Sequence, residues 1–169
     1  MNKLEMRLCG DLVLREICAP VDNITPDILD TMDEMVRMMR AQNGCGLAAP
    51  QVGALSRFLV MVNPDDETVY RMINPRIIKF SDDTCTMEEG CLSVLGGDNL
   101  PVFANVTRPA SVIVEWTDVD GTPKTAQMSG LPARIVQHET DHLDGKLFID
   151  YLSPIKREMV MRKVRKRKL

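Results

Sequence analysis

The apolar positions of this 169-residue chain change their period along its length. In residues 24–44, ITPDILDTMDEMVRMMRAQNG, they recur every three or four positions. Ile28, Leu29, Met32, Met35, Val36 and Met39 therefore share one face, which predicts an amphipathic helix. Thr25 can cap it, Pro26 falls in the first turn where proline is tolerated, and Asn43-Gly44 can close its end. The three methionines on that face read as core filler rather than as a metal or cofactor box.

The period then shortens to β-type runs: RFLVMV (57–62), VYRMI (69–73), RIIKF (76–80) and SVIVEW (111–116). Asn-Pro, Asp-Asp and Asp-Gly pairs between them predict turns. The stretch VLGGDNLPVFANVTRP (94–109) keeps no period and reads as a long loop. A second helix is expected from about Pro132 to Leu143, with Gly145 to end it. Ser153-Pro154 offers a cap and first turn for a last helix running into the C-terminus. These elements predict an α+β fold: a single domain of mostly antiparallel strands packed around a central helix, with N-terminal and C-terminal helices.

Composition narrows the picture. With 44% hydrophobic and 27% charged residues the chain is an ordinary globular one, of a length that suits one domain. No apolar run approaches a membrane span, so no membrane role is expected. The opening MNKLEMRLCGDLVLREICAP mixes both charges among its apolar residues, unlike a secretory or transit segment, and a cytoplasmic location is expected. Five cysteines without a CxxC pair suggest reduced thiols rather than a disulfide framework. The net charge of −3 is uneven: the last fourteen residues hold eight of the 21 basic residues and one of the 24 acidic ones, +7 against −10 for the rest. Such a tail fits either a polyanionic partner, nucleic acid being the simplest, or a solubilising terminus.

The only two histidines lie in IVQHETDHLDG (135–145), four positions apart, with Glu139 after the first. On a helix, His138 and His142 can turn ring nitrogens to one metal ion while Glu139 handles protons beside it, the HExxH arrangement. The plainer alternative is a helix whose histidines are solvated or hydrogen-bonded. A catalytic metal needs a third ligand. The only glutamate beyond His142 is Glu158 in the basic tail, which argues against an ordinary zinc peptidase. EEGCLSV (88–94) offers the thiol of Cys91, on a strand or strand end that could lie against the helix. NGCGLAAPQVG (43–53) offers small residues that let a ligand approach the backbone, and the amide of Gln51. Taken singly, a lone cysteine is usually a buried apolar residue, and a Gly/Ala-rich turn only a turn.

Taken in order, GCGLAAPQ (44–51), EGCLS (89–93) and QHETDH (137–142) resemble the GxGLAAxQ, EGCLS and QHExDH motifs of the peptide deformylases. The likeness extends through VLREICAPV (13–21), INPRI (73–77) and GKLFIDYLSPIKR (145–157). The resemblance implies that Cys91, His138 and His142 hold a divalent metal and that Glu139 is the general acid and base. It implies that Gln51 and the Leu92 N–H hold the formyl oxygen. Gly44, Cys45 and Gly46 would lie along the substrate, with Cys45 at the methionine pocket. The substrate would be a formyl-methionyl peptide or nascent chain, and formate a product. Fe²⁺ is implied in the cell, with Zn²⁺ or Ni²⁺ in purified protein. Glu89, Arg108 and Asp141 would brace the site or simply pair as ions. The chain would divide into a catalytic domain, 1–155, and a basic C-terminal helix or tail, 156–169. That tail would meet the ribosome near the tunnel exit, and the enzyme would be a monomer.

One segment departs from the family pattern. Leu95 stands where relatives carry proline, and Arg108 follows Cys91 by seventeen residues, so that about five residues are inserted within LGGDNLPVFANV (95–106). Asp98 and Asn99 occupy the region where some relatives place a basic residue near the substrate backbone. No catalytic residue is lost, so the departure bears on peptide affinity and side-chain preference. The competing readings are a deformylase-like protein that binds metal or formyl-peptide with weak turnover, and an HExxH peptidase.

Overall fold

The computed structural model describes residues 4–166. Three helices and seven strands follow one another: α1 (Pro26–Ala41), β1 (Gly46–Ala48), β2 (Phe58–Val62), β3 (Val69–Phe80), β4 (Thr84–Glu89), β5 (Ala104–Pro109), β6 (Ser111–Thr117), β7 (Pro123–Ser129), α2 (Gly130–Leu143) and α3 (Pro154–Arg165). Five strands form one antiparallel sheet in the order β1-β2-β3-β6-β7, and β4 pairs with β5 in a second. The fold is α+β, as the periodicity predicts.

α1 begins where Thr25 Oγ1 accepts the Ile28 N–H (3.4 Å). It ends at Asn43, whose φ of 54° lets the Asn43 and Gly44 N–H groups return to Arg40 O and Met39 O, at 3.1 and 2.9 Å. Its predicted face is the buried one: Met32, Met35, Val36 and Met39 are buried, Ile28 packs at the margin of the core, and Leu29 is half-buried. Met61 of β2, Met72 of β3 and Met128 of β7 join the same core. Every residue of β2 is buried, because α1 and α2 both pack against it.

Two expectations are corrected. Asn74-Pro75 is not a turn between two strands. It lies inside the continuous strand β3, where Asn74 takes φ 53° and the pairing with β6 shifts register between Ile73 and Arg76. The Asn74 side chain holds the irregularity by donating to Val21 O and accepting the Val21 N–H, both at 2.8 Å. Nor is 94–109 one long loop: its second part is β5, and Leu95 pairs with Pro101 in a small hairpin. The short β1 and the polar strands β4 and β7 also escape the apolar pattern. Five of the six β4 residues are exposed, so the strand carries no alternation to read.

Candidate active site

α2 runs through the middle of the molecule and has eleven buried residues. Ala133 and Val136 let it approach the sheet closely, while Arg134, Gln137, His138, Glu139 and His142 carry polar groups into the interior. Gly145 ends it at φ 69°, with its N–H on His142 O (3.2 Å) and the Lys146 N–H on Asp141 O (2.9 Å). Cys91 comes from the turn that follows β4, closed by the Val94 N–H on Cys91 O (2.9 Å). The helix and the turn bring ligand atoms of Cys91, His138 and His142 within 4.8 Å of one another, all buried.

Cys91 Sγ lies 3.3 Å from His142 Nε2. Neighbouring corners of a tetrahedron with bonds of about 2.3 Å to sulfur and 2.0 Å to nitrogen stand roughly 3.5 Å apart. His138 directs Nδ1 at Glu89 Oε2 (3.0 Å), which leaves its Nε2 for the site. Burial alone would keep His138 neutral, yet its contacts with Cys91 and Glu89 raise its pKa well above the ordinary value, so the pocket favours a positive charge. Burial, together with that charge, pushes His142 well below its ordinary value. A sulfur, two imidazoles and a preference for positive charge fit a divalent cation of the zinc or iron type.

Glu139 sits beside this trio with Oε2 buried and unpartnered among the described residues. Burial pushes its carboxyl up to about 7. Gly46 makes room for it: a Cβ there would fall onto the Glu139 carboxylate, with Cδ at 2.7 Å. The 3₁₀ turn 49–52 after β1 carries Gln51. Its Oε1 accepts the Ala48 N–H (2.8 Å), so its Nε2 points to Ser93 Oγ (3.1 Å) and Cys91 Sγ (3.5 Å). No backbone acceptor takes the Leu92 N–H among the described residues. A cleft of about 390 Å³ runs outward from Cys91, His138 and Glu139, between the segment Gly44–Gly46 and the hairpin residues Pro101 and Phe103. Gln51 and Leu92 line it as well, and His142 lies directly behind, 1% exposed.

Beneath the trio, one carboxylate gathers three donors. Glu89 accepts from Arg108 Nε and Nη2 (2.6 and 3.0 Å), from Arg134 Nη1 (2.5 Å) and from His138. Burial would raise the Glu89 pKa, but the hydrogen bonds from His138 and Arg108 outweigh it and bring the carboxyl down to about 2. Arg108 also donates to Asp141 (2.7 Å) and stacks over Tyr151, whose hydroxyl donates to Asp141 (2.9 Å). Glu89, Arg108 and Asp141 thus form a buried network rather than isolated pairs. Arg134, on Glu89, and Tyr151, on Asp141, are members that the three motifs do not name, while Ser93, the last residue of EGCLS, holds the Gln51 amide. Arg134 had a signal: it stands four residues before His138, on the same helix face, and a guanidinium buried there needs a carboxylate.

Residues 3–158 match the family model described as polypeptide deformylase. The peptide deformylase of Endomicrobium trichonymphae is 40% identical over 169 residues, covering 99% of this chain and 97% of that one. The crystal structure of a peptide deformylase from Legionella pneumophila superposes with a TM-score of 0.88 at 36% identity, over 96% of this chain and 94% of that one. A peptide deformylase from Synechococcus elongatus in complex with actinonin gives 0.88 at 34%, over 99% and 93%.

Proposed function

The chain belongs to the polypeptide deformylase family, and from that premise we propose how its own residues carry the reaction. The enzyme is a metal-dependent hydrolase that removes the formyl group from the N-terminal formylmethionine of newly made polypeptides and releases formate. Cys91, His138 and His142 would hold its divalent metal. When bound, the ion supplies a Lewis acid for the formyl carbonyl and brings the pKa of water down toward about 7. Glu139 takes the proton of the attacking water at Oε2 and returns one to the departing amine, a task suited to a carboxyl that burial holds at about 7. Gln51 Nε2 and the Leu92 N–H donate to the formyl oxygen as it gains charge, and Ala48 and Ser93 keep the Gln51 amide in place. β1 is the end strand of its sheet, so its free edge beginning at Gly46, next to Gly44 and Cys45, is open to an extended peptide.

The observation that carries this reading is the meeting of three buried ligand atoms and an unpartnered Glu139 oxygen at the floor of one cleft. A thiolate beside two imidazoles suits Fe²⁺ in the cell and accepts Zn²⁺ or Ni²⁺ in purified protein. We further assign residues 1–155 to the catalytic domain and 156–169 to a basic segment that docks on ribosomal RNA near the tunnel exit, in a cytoplasmic monomer. No helix among the described residues is long and apolar enough to cross a membrane. The test is formate release from a formyl-Met-Ala-Ser peptide by anaerobically purified, iron-loaded protein. The Glu139→Gln variant is expected to keep its metal and lose release. Release at the wild-type rate would remove Glu139 from proton transfer.

A further inference from the structure

The residues inserted after Cys91 form an ordered wall. The Gly96 N–H bonds Leu100 O (2.8 Å) and the Val102 N–H bonds Val94 O (2.9 Å), which closes a hairpin on the Leu95–Pro101 bridge. Asn99 turns the tip at φ 60°, and Asp98 Oδ1 accepts the Leu100 N–H (3.0 Å). The wall has two sides. On one, Pro101 and Phe103 line the substrate cleft. On the other, the same two residues line a crevice of about 530 Å³ beneath the end of α3, with Lys163 and Lys166 opposite Gly97 and Asp98. Phe103 lies against Gly90, next to the ligand Cys91: a Cβ on Gly90 would stand 2.6 Å from the ring.

Gly97 is the point where this wall meets α3. A Cβ there would lie 3.0 Å from Lys166 O, 3.1 Å from its Cβ and 3.2 Å from its carbonyl carbon, so the two main chains are nearly in contact. Gly97 does not occupy the left-handed region, and an L-residue would suit its backbone. What the position forbids is bulk between the hairpin and the helix. Away from this contact the tip is tied chiefly at its base, and a free tip would have to be ordered whenever a peptide settled against Pro101 and Phe103.

We propose that Gly97 is a positioning residue for substrate: through it the last turn of α3 bears on the inserted hairpin, and the hairpin so held presents Pro101 and Phe103 to the peptide beyond formylmethionine. This rests on the cleft being the formyl-peptide site. It makes the basic helix part of the substrate-binding apparatus. The chemistry itself stays untouched, because the ligands and Glu139 stand on the β4 turn and α2.

The test uses full-length, metal-loaded protein with Gly97→Val, and Gly97→Ala as the milder variant. KM and kcat are measured for formyl-Met-Ala-Ser and for formyl-methionine amide, which is too short to pass the methionine pocket. The Val variant should raise KM for the tripeptide by about tenfold, the lower range for one apolar contact in a pocket. Its kcat and its KM for the amide should stay at wild-type values, with Ala between. Hydrogen exchange at the Gly96 and Val102 amides should quicken. An unchanged tripeptide KM, whatever the exchange, or an equal rise for both substrates overturns the proposal. Absence of formate from both substrates with wild-type protein would overturn the deformylase roles beneath it, while the exchange data would still report on the contact separately.

Discussion

Replacing Glu89 by alanine removes one carboxylate and strands three donors. Arg108 would keep only Asp141, Arg134 only the carbonyls of Cys85 and Val106, and His138 would lose the acceptor of its Nδ1. Glu89, Arg108 and Arg134 are all at least 94% buried as side chains, so water cannot replace the lost partner. Breaking a buried ion pair from one side costs about 3–5 kcal/mol. A second route gives a similar figure: holding the Glu89 carboxyl at about 2 instead of its ordinary 4.5 contributes roughly 3 kcal/mol at neutral pH. Because that pKa is depressed in the folded state, the contribution is complete above about 4.5 and disappears as pH falls toward 2. For a domain of this size each kcal/mol shifts Tm by about 2–4 °C, so Glu89→Ala should lower Tm by about 6–20 °C. Thermal unfolding of metal-free protein by circular dichroism at pH 7 and again near pH 3.5 measures it. The gap between wild type and variant should narrow at the lower pH, and Glu89→Gln should fall between them at pH 7. A Tm within about 2 °C of wild type at pH 7, or a gap that ignores pH, would refute the reasoning. In metal-loaded protein the same substitution should weaken metal binding by about 10–100-fold, because His138 loses its orienting partner.

Gly46→Ala should drive its new methyl into the Glu139 carboxylate and lower kcat by about 100-fold with metal content intact, as read by formate release and metal analysis. Gln51→Ala should cost about 10²–10³ in kcat while the protein still binds its ion, since the amide serves the formyl oxygen and not the metal. Docking of the basic segment on ribosomes, followed by cosedimentation, should weaken by about 10³-fold or more between low and physiological salt; salt-independent binding would remove the polyanion reading.

What could be read from the residues depended on whether burial was one-sided. α1 is half in water, so its apolar stripe and its caps specify it almost to the residue. α2 is buried around most of its surface and shows no stripe; it is legible only through its chemistry and its terminal glycine. β4 and β5 lie at the opposite extreme: β4 is exposed at all but Glu89, β5 buries only Val106 and Arg108, and the two are held by backbone pairing and by these inward-pointing residues. Nothing in a hydrophobic pattern registers such strands. Asn74-Pro75 misled because the pair usually turns a chain, whereas here the Asn74 side chain clasps Val21 and keeps one strand running. The ligands and Glu139 could be named from motifs because their spacing is local or their order characteristic. The partners of Glu89 come from two separate elements, Arg108 from β5 and Arg134 and His138 from α2, and only the folded chain brings them to β4.

The methionine-rich interior doubles as a recorder of the molecule's own opening. Met32, Met35, Met39, Met61 and Met72 have no exposed surface, while Met87 and Met159 are 37% and 60% exposed. Dilute peroxide would convert the two surface thioethers to sulfoxides at once. The interior ones would be marked only as fast as the layers around them part, so the order in which their sulfoxides accumulate dates each fluctuation of the core without any introduced label.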